Sequence, residues 1–285
     1  MLSLGRDTIL EWDLTEQVLY ECGGSSVFPS LRYLHVWAEE RALQALIPLL
    51  KNLQGVHLQS TNSPTGIDDV AVSSVLSLLS LCRRLEDIYF DTDRETTILS
   101  KSFRDIASGC PFLRRLEIGE DCESCAGFND ELIAAIAPQW NSLVVLCLPF
   151  VSELSPSSLA CLSRHCPRLQ ELRIIYGFEF IDEPDPSSGL VHFPHLEILH
   201  IGSPPPGNIC QRDPTTAANA MVQLIDRRYP ALKRFICEDL HLHPACHIFY
   251  RVIDQHLATT RPPFHLYWEY PGSIITKLGS EIVGH

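Results

Sequence analysis

Apolar residues recur along the chain in a six-residue pattern, L-x-x-L-x-L, which we call the leucine frame. Seven phrases carry it: FPSLRYLHV, CRRLEDIYF, CPFLRRLEI, WNSLVVLCL, CPRLQELRI, FPHLEILHI and YPALKRFIC, and NLQGVHL fits it more loosely. The frame opens at Leu31, Leu53, Leu85, Leu113, Leu143, Leu169, Leu196 and Leu232. Its alternating apolar positions predict a β-strand with one buried side.

The segments between the frames have helical spacing and helical start signals. Ser155 followed by Pro156 is typical of an N-cap with proline in the first turn, and Asn129 stands before another apolar run at helical spacing. Residues 216–229 and 244–257 indicate two further helices. Strand and helix therefore alternate, and each pair buries its apolar stripe only against the next copy.

This alternation predicts an α/β leucine-rich-repeat solenoid of about eight repeats. It is an open arc with parallel strands on the concave face and helices on the convex face. We expect an N-terminal cap segment at 1–27, the solenoid at 28–262, and a C-terminal cap strand and tail at 263–285. The cap strand is predicted from the alternation around Phe264, Leu266 and Trp268.

A cysteine or an aromatic residue stands just before most leucine frames. We expect these side chains to fill the corner where a helix turns into a strand, and we favour this packing role for the cysteines over a redox or metal role. Proline, which ends a helix, follows most of them. The positions with proline are Phe28, Cys110, Cys166, Phe193 and Tyr229, and those without it are Cys82 and Trp140.

These openings and frames resemble the leucine-rich repeats of F-box proteins, especially the fungal set, over about Phe28 to Glu238. The resemblance implies that the repeats hold a protein substrate or peptide, and that an F-box bundle binds the Skp adaptor of a cullin-RING ubiquitin ligase. Residues before Phe28 include Trp12 and Leu14 but no segment like an F-box. A Skp-type adaptor is therefore expected only if an F-box lies outside this chain.

Strand alternation also predicts which side chains meet a partner, because the residues between the leucines face the concave surface. Aromatic residues cluster in the first of these strands, and such residues dominate interface energetics. They could instead lie under the N-terminal cap. The expected partner-binding residues are Tyr33, His35, Trp37, His57, Gln59, Asp87, Tyr89, Asp91, Arg115, Glu117, Glu171, Arg173, His200, Arg234 and Glu238.

Composition narrows the class of protein. The 285 residues are 45% hydrophobic and 20% charged, and the formal net charge is −13, which makes nucleic acid and anionic membrane poor partners. The sequence shows neither a secretory signal nor a membrane span, and its eleven cysteines are an odd number. We therefore expect reduced thiols in a cytoplasmic or nuclear protein.

The sequence gives only weak evidence for a metal site or a catalytic site. His241, His243, Cys246 and His247, with His256 further on, could hold zinc, although surface and corner histidines explain them better. Cys122 and Cys125 form a single C-x-x-C without a second pair, and the D-x-D of Asp91 and Asp93 has no phosphate-binding loop beside it. We expect no catalytic residue, no metal and no cofactor.

The sequence therefore favours a non-enzymatic recognition module, the substrate-binding repeat region of an F-box-like ubiquitin ligase subunit. The alternative is a stand-alone regulator, similar to a nuclease inhibitor or a GTPase-activating protein, which acts directly on its partner. A zinc-dependent enzyme is a third and weaker hypothesis.

Overall fold

The chain is an α/β protein with parallel strands, as a computed structural model shows. It consists of two compact units, Met1–Glu153 and Leu154–His285. The structure describes residues 2–3, 9–10, 29–61, 69–92, 96–119, 122–148, 151–174, 191–201, 213–238, 244–261, 265–270 and 273–277.

The first unit has a main sheet in which every pair of neighbouring strands is parallel, in the order β1-β3-β4-β5-β7-β9 with β2 also on β3. The strands of this unit are β1 (Leu2–Ser3), β2 (Ile9–Leu10), β3 (Tyr33–Glu39), β4 (Gly55–Thr61), β5 (Asp87–Thr92), β6 (Thr96–Leu99), β7 (Arg115–Ile118), β8 (Cys122–Asn129), β9 (Val145–Leu148) and β10 (Val151–Glu153).

Four α-helices are described in this unit, and two of them run on into short 3-10 helices at Ile47–Leu49 and Ala137–Gln139. The predicted cap is present, since the Asn129 side chain accepts a hydrogen bond from the Leu132 amide at 3.0 Å. The helices are α1 (Glu40–Leu46), α2 (Asp69–Leu79), α3 (Ser100–Gly109) and α4 (Asp130–Ile136).

The inward-facing residues of the leucine frames form the core of this unit. Leu34, Ile88 and Leu116 are at most 3% exposed, as alternation predicted. The corner prediction is confirmed for the cysteines: Cys82 and Cys110 in this unit, and Cys166 in the second unit, are fully buried. The Cys82 thiol donates to the Leu50 carbonyl at 3.4 Å, which joins this corner to the end of the preceding repeat.

A second, three-stranded parallel sheet lies in the same unit, in the order β10-β8-β6. The sequence did not predict it. Its members β6 and β10 have four and three residues, too few for their alternation to stand out. Each of the three strands comes just before a helix, so it fixes the path from the main sheet into that helix.

The second unit has strands β11 (Glu171–Ile174), β12 (Ile198–Ile201), β13 (Arg234–Glu238), β14 (His265–Tyr270) and β15 (Ser273–Lys277). Strands β11 to β14 are parallel neighbours in register, and β15 adds antiparallel to β14. The predicted C-terminal strand is β14. Its helices are α5 (Pro156–His165), α6 (Pro214–Arg228) and α7 (Pro244–Thr260).

One helix of this unit begins at the predicted N-cap, and another begins earlier than predicted. Ser155 accepts a hydrogen bond from the Ser157 amide at 3.2 Å, and Pro156 opens α5. Helix α6 begins two residues before the predicted Thr216, because the Asp213 carboxylate caps it by accepting from the Thr216 amide at 2.8 Å. Each of the eight leucine frames in the two units thus leads into a parallel strand.

Candidate functional site

Side chains on one side of β3, β4, β5 and β7 stand in register across the strands. One row pairs Tyr33, Gly55, Asp87 and Arg115, a second pairs His35, His57, Tyr89 and Glu117, and a third pairs Trp37, Gln59 and Asp91. Apart from Gly55, we call this set the row face. Its side chains are half-buried or exposed, whereas the residues between them are buried. The sequence prediction of these positions agrees with this placement.

Three rings of the second row lie against one another. The centroids of His35 and His57 are 4.1 Å apart with planes at 24°, and those of His57 and Tyr89 are 4.1 Å apart with planes at 45°. Strands in a sheet are about 4.8 Å apart, so rings at facing positions are within stacking distance. The register of the parallel strands therefore builds a continuous aromatic ridge along the row face.

The middle ring of this ridge lies in surroundings that favour its neutral form. Burial lowers the pKa of His57 below 6.5, and the neighbouring His35 lowers it further. The imidazole can then accept or donate a hydrogen bond, but it brings no positive charge to the row face.

Asp91 lies at the end of the ridge and receives several donors. The Thr92 amide donates to its carboxylate at 2.9 Å, and the Gln59 amide and the Tyr89 hydroxyl approach it at 3.4 Å and 3.5 Å. Burial and the negative charges of Asp91 and Glu117 raise the pKa of Tyr89 to about 12. The surroundings of Tyr89 are therefore electronegative, and its hydroxyl stays protonated.

A pocket of about 520 Å³ opens beside the ridge, and the first row, Tyr33, Gly55, Asp87 and Arg115, lines it. A Cβ atom on Gly55 would lie only 2.7 Å from Cδ1 of Tyr33, so the ring of Tyr33 packs over the glycine and the missing side chain makes room for that ring. Tyr33 is nevertheless 48% exposed. Sequence reasoning did not find this pocket.

Both arginines of the pocket have a glutamate partner, whereas its aspartate has no described partner. Arg115 forms an ion pair with Glu117 along its own strand, and Arg114 lies 3.8 Å from Glu86. The half-buried carboxylate of Asp87 makes no hydrogen bond or ion pair with any residue that the structure describes. The uncompensated charge at this site is therefore negative.

The predicted partner-binding residues of the second unit form a less uniform set. Glu171 and Arg173 are half-buried, Arg234 is exposed, and the Glu238 side chain lies outside the described residues. The prediction that His200 is accessible is wrong, since it is 3% exposed. Its strand β12 lies between two others, and Arg173 and Ile236 flank it in register.

Most of the sequence-derived metal candidates lie outside the described residues. His256 lies 3.4 Å from the Asp226 carboxylate, whereas His241, His243 and the side chains of Cys246 and His247 lie outside the described residues. Asp93 and the Cys122 side chain are outside them as well. No group of three or more metal-ligating side chains occurs among the described residues.

None of the described helices is both long enough and apolar enough to cross a bilayer. A scan of protein-family models found no match to the chain, and a search of curated proteins found none either.

Proposed function

We propose that this chain is a protein-recognition module and that it binds its partner on the row face. One observation carries the proposal: aromatic and polar side chains stand in register on four neighbouring strands and remain accessible, while the alternate residues are buried. Tyr, Trp and Arg are the residue types that contribute most at interfaces, and Tyr33, Trp37 and Arg115 supply them here.

We further propose that the units are leucine-rich repeats and that the module is the substrate-binding region of an F-box-like ubiquitin ligase subunit. The repeat class is supported by the leucine frames, all of which lead into parallel strands with buried leucines. The ligase role rests on the resemblance alone. In this proposal a Skp-type adaptor binds only through an F-box outside the sequence given.

A stand-alone regulator that acts directly on its partner is the second candidate. The carboxylates of Asp87, Asp91 and Glu117 on the row face, together with a net charge of −13, favour a basic target for such a protein. The two candidates share the binding surface and differ in what happens to the partner after it binds.

Photo-crosslinking tests the shared surface directly. The photoreactive residue p-benzoylphenylalanine is placed at Tyr33 in one protein and at Phe112 in the control, and both are expressed in the native cell. Phe112 is a matched control because it is an aromatic residue that is 60% exposed, lies in the turn before β7 and does not belong to the row face. We expect a crosslinked protein from position 33 and not from position 112, and mass spectrometry would identify it.

The purified partner then allows an affinity measurement. Tyr33→Ala should weaken binding about thirtyfold, because an aromatic anchor at an interface commonly contributes about 2 kcal/mol. Phe112→Ala should leave affinity unchanged, and both variants should melt near the wild-type temperature. A large fall in melting temperature for Tyr33→Ala with unchanged affinity would make Tyr33 a structural residue and would contradict the proposal.

A further inference from the structure

We propose that the pocket lined by Tyr33 and Asp87 receives one cationic side chain of the partner, an arginine or a lysine, with Asp87 as its counter-ion. This inference rests on the proposed function, because it assigns the chemistry of the partner at one point of the row face. Four properties of the pocket support it: its shape, its uncompensated charge, its aromatic wall and its poor fit to an anion.

The first row of the row face lines one side of the pocket. Tyr33 on β3 and Asp87 on β5 pair with Gly55 on β4 from either side, and two strand spacings of about 4.8 Å separate them. The hollow of about 520 Å³ lies within the common range for ligand pockets, about 300 to 1,000 Å³. A long, thin side chain could enter beside the exposed ring of Tyr33 and place its charged end at Asp87.

The charge of the pocket selects a cation. Asp87 is half-buried and makes no hydrogen bond or ion pair with any described residue, so its carboxylate can take a cationic partner. A guanidinium or ammonium group would supply the missing donors in a charge-assisted hydrogen bond. His57 also lines the pocket, and its lowered pKa disfavours the charged imidazole that would oppose a cation.

The aromatic wall favours the same ligand. The ring of Tyr33 borders the hollow and is accessible to solvent, and the ring of Tyr89 lies in the next row near the carboxylate of Asp91. A cation near the face of such a ring gains about 0.5 to 1 kcal/mol at exposed sites. Arginine can also stack its planar group on tyrosine while it bonds to a carboxylate.

An anion such as phosphate fits the pocket less well. Arg114 and Arg115 line it, but both arginines already face glutamates, Glu86 and Glu117. A phosphate would have to separate these pairs and would then lie near the uncompensated carboxylate of Asp87. Like charges at that distance repel.

The test uses small probes on the full chain, followed by NMR. The cationic probes are N-acetyl-arginine methylamide and N-acetyl-lysine methylamide. The citrulline and norleucine analogues are their uncharged controls, and inorganic phosphate is the anionic control. We expect saturable shifts of the Gly55 amide and the Tyr33 ring with the cationic probes only, and the difference between arginine and lysine shows which one the pocket prefers.

Two variants locate the binding. Asp87→Asn should weaken the cationic probes about tenfold, as expected for the loss of a charged hydrogen-bond partner, while Asp105→Asn on α3 should change nothing. Gly55→Ala should weaken binding, because the new methyl group would lie 2.7 Å from Cδ1 of Tyr33 and would displace that ring from the wall of the pocket. A thermal melt of each variant shows that it is folded.

The outcomes separate this inference from the proposed function. If position 33 crosslinks a partner but the cationic probes give no saturable shift, or bind Asp87→Asn as well as wild type, the cation pocket is overturned and the recognition face stands. If the probes bind as expected but no partner crosslinks, the pocket stands and the proposed function fails. Saturable binding of phosphate or of the uncharged analogues in place of the cations also overturns the inference.

Discussion

At the scale of single residues, the position of His57 in the ridge makes the stability of the folded protein depend on pH. The ring lies between His35 and Tyr89, and burial and the neighbouring histidine disfavour its protonated form. The unfolded chain has no such penalty, so below pH 6.5 it binds more protons at this residue than the folded chain does. Stability contributed by neutral His57 is therefore present above about pH 6.5 and is lost as the pH falls through its lowered pKa.

We expect the free energy of unfolding to fall more steeply in wild type than in His57→Phe when the pH is lowered from about 7.5 to about 5.5. Phenylalanine keeps a ring in the stack and removes the titration. Urea unfolding at several pH values measures the two slopes. His195→Phe, at an exposed position outside the ridge, is the control for the loss of a histidine as such. Equal slopes for wild type and His57→Phe would show that the ridge does not disfavour the charged imidazole.

At the scale of elements, helices α2 and α3 pack closely because small residues face each other. The Ser102 hydroxyl donates to the Ser73 carbonyl at 2.8 Å and the Ser73 hydroxyl accepts from the Leu99 amide at 2.9 Å. Near the ends of both helices, a Cβ atom on Gly109 would lie 2.3 Å from the backbone oxygen of Ser80. The serines that interrupt the apolar run of α2 thus form the contact with the next helix.

Gly109→Ala should destabilise the protein by about 1 to 3 kcal/mol, because the new methyl group meets backbone atoms that cannot move alone. At an unconstrained helical site the same change would instead stabilise by about 0.5 to 1 kcal/mol, so the sign of the effect identifies the close approach. Denaturant unfolding measures it. Ser108→Ala, at the exposed neighbouring position, should change the free energy of unfolding little. A gain in stability for Gly109→Ala would contradict this packing.

The elements also show what the sequence could predict. Leucine alternation located all eight frame strands and their buried residues, because a period of two is visible in six residues. It located the row face but not its pocket, since a glycine that leaves room for Tyr33 resembles any other glycine in a strand. His200 follows the same alternation as His57 and is buried, because exposure also depends on how neighbouring side chains cover a strand. Strands such as β6 and β10 are too short for an alternation of apolar and polar residues to be recognised in them.

At the scale of the whole molecule, the net charge of −13 acts at long range on any basic partner. Such a charge raises the rate of encounter and is screened by salt, with a Debye length of about 10 Å at 0.1 M. Tyr33 contributes at short range through contact area. The net charge should therefore affect mainly the association rate of the complex, and the contact made by Tyr33 should affect mainly its dissociation rate.

We expect the association rate of the crosslinked partner to fall as salt is raised from about 0.05 M to about 0.5 M. Tyr33→Ala keeps every charge, so it should show the wild-type salt dependence of association and a faster dissociation. Surface plasmon resonance with the purified partner measures both rates. An association rate that is independent of salt would contradict electrostatic steering by this chain.

The buried thiols at the corners can report local opening of the protein. Burial raises the pKa of Cys82 to about 11 and that of Cys110 to about 12, so neither thiol is a nucleophile in the closed structure. An alkylating reagent can react with them only after the corner opens and the thiol ionises. The Cys110 thiol donates to the Leu79 carbonyl of the preceding helix at 3.6 Å, and Cys82 lies one corner earlier. The relative labelling rates of the two thiols therefore report how far an opening spreads from one leucine frame to the next.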